Sequence, residues 1–193
     1  MTQRTLIGVL VVLLVATAGI GAFAYIQASN SLHGTAFDPP QQAPEIRLTD
    51  QHNRTFRLSD QKGKIIMLYF GYTNCPDECP LTMAHLKQAL DKLGTQARDI
   101  EVVMVTTDPA RDDPQTLDDF MAKFDPDFVG LTGTETELKP VWDSYSVVVE
   151  AGGETHSTFV YLIDQRGMIQ RLYDLTVGSE AFTHDLKIFL RKG

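Results

Sequence analysis

Cys75 and Cys79 are the only thiols in the chain of 193 residues, and they stand four apart in the segment GYTNCPDECP. At that spacing two sulfurs can converge on one ion or bond to each other. The thiolate is both a nucleophile and a soft metal ligand, so the pair could hold a metal, exchange disulfides or close a structural bridge. A bridge here would close a loop of five residues. By the chain-entropy relation it would contribute only about 2 kcal/mol, a weak reason to place both cysteines there. Two are also too few for a disulfide-built scaffold or for a zinc site made of cysteines alone.

The flanking residues form the elements that must position this pair. Ile65–Phe70 (IIMLYF) is a continuous apolar run, as expected of a central strand covered on both faces. The cysteines therefore sit at its carboxyl end, where open α/β folds build their sites. Pro80 suits the first position of a helix. Cys79 is then predicted as its N-cap, a place where the helix terminus favours a thiolate. Met83, Leu86, Leu90 and Leu93 continue at helical spacing and Gly94 stops the helix. A second strand is expected over Ile100–Thr106, followed by a helix opened by Asp113-Pro114 and a third helix from Thr134 to Tyr145 with a short strand at Val147–Val149. Ile46–Leu48 and Thr55–Leu58 predict one hairpin, with His52 at its tip. Thr158–Ile163 and Met168–Tyr173 predict another, around DQRG. A last amphipathic helix is expected after Ser179. Strand, helix, strand, helix, hairpin and closing helix is an α/β pattern, a three-layer fold of thioredoxin-like type.

The charge balance of 17 basic and 25 acidic side chains, −8 overall, argues against nucleic acid as a partner, since phosphate binding needs clustered positive charge. Leu6–Ile26 is an uncharged run of twenty-one apolar or small residues, long enough at about 1.5 Å per residue for a hydrocarbon core of roughly 30 Å. Residues 1–26 are expected to be a membrane anchor inserted in the lipid bilayer through 6–26. A cleaved signal peptide is the alternative, because Ala22-Phe23-Ala24 has the small-x-small form of a cleavage site. Arg4 favours an inside amino terminus and an exported remainder. Residues 27–44, with Pro39, Pro40 and Pro44, are expected to be a tether, and His33 within it to be solvated. Residues 45–193 are expected to form the folded, thioredoxin-like domain. Beyond Arg4, 16 basic and 25 acidic residues leave a charge of −9.

Three segments in order, Phe70–Pro80, VTTDPARDDP at Val105–Pro114 and THSTFVYLID at Thr155–Asp164, resemble the Sco/SenC family from about Pro44 onward. The resemblance implies a membrane-anchored, thioredoxin-fold, copper-binding metallochaperone that turns over no substrate. It implies a role in assembling the dinuclear copper centre of cytochrome c oxidase, with the copper-binding subunit of that oxidase as recipient and room for another copper chaperone as partner. It also implies a single-pass protein of a bacterial cell membrane with its domain outside. The family's ligands carry over to Cys75, Cys79 and His156. Two thiolates and an imidazole are a soft set of low coordination number, suited to Cu(I), with Cu(II) left open. The family's D-P-x-R-D segment carries over to Asp108 and Arg111, which would orient a ligand or a partner from the end of the next strand. One departure is Thr155, where an acidic residue often precedes the histidine.

Two other functions compete. A membrane-anchored thiol-disulfide oxidoreductase could use Cys75 and Cys79 as its redox pair to keep a partner's copper-ligand cysteines reduced. Thioredoxin-like reductases, however, usually carry C-x-x-C and a cis-proline before the late strand. Here three residues separate the cysteines and Pro140 is the last proline. A thiol peroxidase on the same fold usually has threonine three residues before its cysteine, where this chain has Tyr72. His85 is expected to be solvated, His184 to be unconnected with the site, and Met83 to lie in the core.

Overall fold

The computed structural model describes residues 31–150, 152 and 159–191, together with Thr17 and Gly19, which are helical. Apart from Thr17 and Gly19, the expected anchor falls outside these residues, and so does His156. No helix among the described residues is long and apolar enough to cross a membrane. The chain divides into two units, Met1–Leu32 and His33–Gly193, and the second holds the fold.

Its centre is an eight-stranded sheet in the order β1-β8-β7-β4-β5-β6-β2-β3. The strands are β1 (Thr35–Gln42), β2 (Arg47–Asp50), β3 (Thr55–Arg57), β4 (Ile65–Gly71), β5 (Ile100–Thr106), β6 (Val129–Thr132), β7 (Phe159–Ile163) and β8 (Met168–Asp174). The helices are α1 (Glu78–Leu93), α2 (Pro114–Met121), α3 (Glu135–Ser144) and α4 (Ser179–Leu190). β4, β5 and β6 run parallel. β7 pairs antiparallel with both β4 and β8.

All seven residues of β4 are buried, as its unbroken apolar composition requires of a strand covered on both faces. Side chains alternate across the pleat. Ile66, Leu68 and Phe70 therefore join Val103 and Val105 in a core with Leu138, Val141 and Trp142 of α3. Met67 and Tyr69 turn to the opposite face, where Tyr69 meets α1 and Tyr173 of β8 meets Phe182 of α4 edge to face. The result is the expected three-layer arrangement, with strands between two helical layers.

Several elements differ from expectation. Residues 35–42 of the predicted tether form an edge strand on β8, with the register slipping between Ala36 and Gln41. The two prolines occupy that slip, where no ladder N–H is needed. β6 was not predicted; at four residues it is too short to show a period. Val147–Val149 forms no strand element, although Val147 is buried in the core. Gly178, not Ser179, caps α4. Asp77, not Cys79, is the N-cap of α1, so Cys79 lies in the first turn and Pro80 one residue deeper. Proline is tolerated there because first-turn N–H groups have no partner within the helix. Asp113 does cap α2, its carboxylate accepting from the Thr116 N–H at 2.7 Å, with Pro114 as the first helical residue.

Candidate metal centre

The two cysteines are unlike in environment. Both are free thiols, Cys75 half-buried and Cys79 buried. Cys79 is 2% exposed because α1 lays its first turn over the end of β4. The Tyr69 hydroxyl donates to the Cys79 sulfur at 3.4 Å. The Cys79 N–H donates to the Cys75 sulfur, also at 3.4 Å. The helix terminus therefore directs its free amide at Cys75, while Cys79 is turned into the protein. Burial, which disfavours the thiolate, pushes the Cys79 thiol up to about 12 and outweighs the hydrogen bond from Tyr69. The thiolate expected at Cys79 from its position near a helix terminus is thus corrected: desolvation wins.

Gly71 lies against the buried sulfur of Cys79 and the ring of Tyr69. A Cβ at Gly71 would stand 2.5 Å from Tyr69 Cε1 and 2.9 Å from Cys79 Sγ, closer than van der Waals contact allows. Gly71→Ala is therefore expected to displace Tyr69 from the sulfur and to lower stability by about 1–3 kcal/mol, the range of overpacked cores. Thermal denaturation of the two proteins measures this, and an unchanged midpoint would show that the ring and sulfur have room to move.

The loop carrying Cys75 is held by a residue that sequence reasoning missed. Asp112 is 0% exposed. Its carboxylate accepts from the Thr73 N–H (3.1 Å), the Thr73 hydroxyl (2.6 Å) and the Thr106 hydroxyl (2.6 Å). Thr73 lies two residues before Cys75, and Thr106 ends β5, so one carboxylate ties the cysteine loop to the neighbouring strand end. The Thr132 hydroxyl donates to the Asp112 carbonyl at 2.8 Å and draws in β6 as well. The signal was present in the two successive aspartates of the Val105–Pro114 segment, but position alone does not tell the buried one from the cap at Asp113.

Asp108 is also buried and pairs with Arg111. The Asp108 N–H donates to the Thr106 hydroxyl at 2.9 Å. Arg111 Nη2 donates to the Gly152 carbonyl at 2.6 Å. Arg111 thus reaches from the end of β5 to the segment between α3 and β7 that includes His156. β7 begins three residues after His156, and its Val160 faces Tyr69 of β4, so β7 enters the sheet at the end where β4 delivers the cysteines. Met83 is fully buried, as its spacing predicts. His85, expected to be solvated, is half-buried.

These residues offer two sulfurs, one accessible and one desolvated, at a strand end that carries no third cysteine. The arrangement suits a soft cation or a disulfide. The model of the SCO1/SenC family matches residues 36–191, most of the chain and both cysteines. This chain belongs to the SCO1/SenC family. Among individual SCO1/SenC relatives, it is 36% identical over 132 residues to the SCO2-like protein of Rickettsia felis, a match covering 64% of each chain. It therefore spans just under two thirds of that relative's length. Protein sco1 of Schizosaccharomyces pombe is 30% identical over 196 residues, covering 92% of this chain and 74% of the relative. Among solved SCO1/SenC structures, the copper-bound ScoI of Bradyrhizobium japonicum aligns with a TM-score of 0.67 at 31% identity, covering 77% of this chain and 99% of that one. Copper-bound yeast Sco1 aligns with a TM-score of 0.71 at 28% identity, covering 80% and 91%. The thioredoxin-like α/β fold is the one these proteins share.

Proposed function

We propose that this SCO1/SenC protein is a metallochaperone that binds one Cu(I) through Cys75, Cys79 and His156 and passes it on during assembly of the dinuclear copper centre of cytochrome c oxidase. The observation that carries the reading is the pair of free sulfurs joined through one amide at the end of β4. Two thiolates and one imidazole form a donor set that favours Cu(I) over harder ions. In the relatives solved with copper bound, the same fold is present at about 30% identity. Cu(I) is cargo here rather than a resident cofactor. The half-buried Cys75 is the sulfur an incoming partner can reach first, so ligand exchange with the oxidase subunit, or with another copper chaperone, starts there.

Asp108 and Arg111 act as positioning residues, their ion pair and the bond to Gly152 steadying the approach to His156. Residues 1–26 anchor the chain in a bacterial cell membrane, 27–34 continue the tether, and the folded unit stands on the outer side. The mass of the mature amino terminus distinguishes an anchor from a cleaved signal.

One observation favours a second reading, reduction of a partner's disulfide. An accessible cysteine beside a buried one is the arrangement of an attacking and a resolving thiol. A single comparison separates the two. His156→Ala is expected to weaken Cu(I) binding roughly 100-fold in competition with a chromophoric chelator, while both forms reduce insulin slowly. Unchanged copper affinity together with brisk insulin reduction would favour the oxidoreductase.

A further inference from the structure

His33 and His184, which the sequence places apart and assigns no partner, meet on one buried carboxylate. Asp185 of α4 is 0% exposed. One of its oxygens, Oδ1, lies 2.9 Å from His33 Nδ1 and 2.8 Å from His184 Nδ1. The other, Oδ2, accepts from the His33 N–H at 2.8 Å and from the Tyr173 hydroxyl at 2.9 Å. The imidazoles stand edge to face with centroids 5.1 Å apart and remain 48% and 32% exposed. Among the described residues, this is the one trio of His, Cys, Asp or Glu donors gathered within 4.8 Å.

We propose that His33, His184 and Asp185 form a second metal site, for a divalent ion of borderline softness such as Zn(II) or Cu(II). Two imidazole nitrogens and a carboxylate oxygen are the donors such ions prefer, and no thiolate is present to favour Cu(I). The spacing is near what an ion needs. Ligands about 2.1 Å from an ion lie about 3.0 Å apart at right angles and about 3.4 Å apart at the tetrahedral angle of zinc, so the N···O separations of 2.9 and 2.8 Å would open by a few tenths of an ångström. One divalent ion would take the place of the hydrogen bonds between the rings and Oδ1, the partly exposed imidazoles turning to aim their nitrogen lone pairs at it. Oδ2 would keep its bonds from Tyr173 and the His33 amide, the outer support that fixes a ligating carboxylate. Three protein ligands leave a position for water or an outside ligand, and the exposed ring edges give a path from solvent.

The place of the trio in the fold adds to its interest. Tyr173 of β8 faces Val160 of β7, which faces Tyr69 of β4. Tyr69 bonds Cys79, and Tyr173 bonds Asp185. The two tyrosines therefore lie on one face and at one end of the sheet, two strand spacings or about 10 Å apart at their Cα atoms, each bonded to a residue of one of the two sites. An ion at the second would clip the segment leading into β1 to the last helix.

The test uses the full chain carrying Cys75→Ser and Cys79→Ser, so that the thiol site cannot contribute. Titration calorimetry with zinc chloride is expected to show one saturable site per chain. Its affinity should fall roughly tenfold or more in His33→Ala and again in His184→Ala. His33 is half exposed, and circular dichroism of His33→Ala should match the parent. In a second arm, Cu(II) should give an electron paramagnetic resonance spectrum with hyperfine structure from two nitrogens, reduced to one by His33→Ala. Absence of a saturable zinc site, or a site equally strong in both histidine variants, would overturn the proposal and leave the trio a hydrogen-bonded clasp. Because the parent lacks both cysteines, neither result bears on Cu(I) binding.

Discussion

Replacing Asp112 by alanine is expected to destabilise the protein by about 3–5 kcal/mol and to loosen the cysteine loop. The carboxylate is fully buried and accepts from one amide and two hydroxyls. Hydrogen bonds to a charged group contribute about 1.5–3 kcal/mol each, and leaving a buried donor unpaired costs about 1–3 kcal/mol. The two hydroxyls can rotate toward other acceptors, which keeps the total below the sum of three full bonds. The Thr73 N–H cannot rotate, and it is the one that fixes the backbone two residues before Cys75. At about 2–4 °C per kcal/mol for a chain of this size, the melting midpoint should fall by roughly 10 °C. Asp112→Asn should cost nearly as much, because its amide nitrogen would face donors. Measured at a temperature where the variant stays folded, Cu(I) affinity should drop about 10- to 100-fold, as for other residues that orient metal ligands. A midpoint within about 2 °C of the parent would show that the loop is held by something else.

Cys79→Ser carries the largest expected effect on binding. Structural zinc sites of four ligands supply about 10–16 kcal/mol in total, or about 2.5–4 kcal/mol per ligand. On that scale, loss of one thiolate should weaken Cu(I) roughly 100- to 1000-fold. Serine fills the site and can accept from Tyr69, so the fold should survive. The same residue sets a pH dependence. Cys79 must lose its proton to bind, and its thiol is held up to about 12 by burial. Below that value the proton competes with the metal, so the Cys79 contribution makes affinity rise about tenfold per pH unit. The binding reaction should release that proton near neutrality. Calorimetry in buffers of different ionisation enthalpy counts it, and the count should fall by one in Cys79→Ser.

What could be foreseen from sequence divides along physical lines. β4, β5 and α1 announce themselves through unbroken apolar runs and helical spacing, and the cysteines inherit their place from the strand that precedes them. β1 was hidden because its partner is β8, more than a hundred residues away, and because its two prolines suggest a tether. Asp112, Gly71 and the Asp185 trio were hidden for a different reason. Each matters through a contact made only after folding: a carboxylate meeting a distant loop, a hydrogen where a methyl group would strike a sulfur, a histidine far upstream reaching the last helix. Asp108 and Arg111 were visible as a motif, yet the reach of Arg111 to Gly152 was not. The N-cap expected at Cys79 failed by two residues, and that small shift turns the sulfur from the helix terminus into the core and reverses the direction of its acidity.

The central claim is that Cys75, Cys79 and His156 form one Cu(I) site. X-ray absorption at the copper edge on the full chain loaded anaerobically with Cu(I) tests it most directly. One copper per chain, with two sulfur neighbours and one nitrogen, and with the nitrogen lost in His156→Ala, is the result predicted. Copper that binds with no sulfur neighbours, or with the same neighbours after Cys79→Ser, would contradict it.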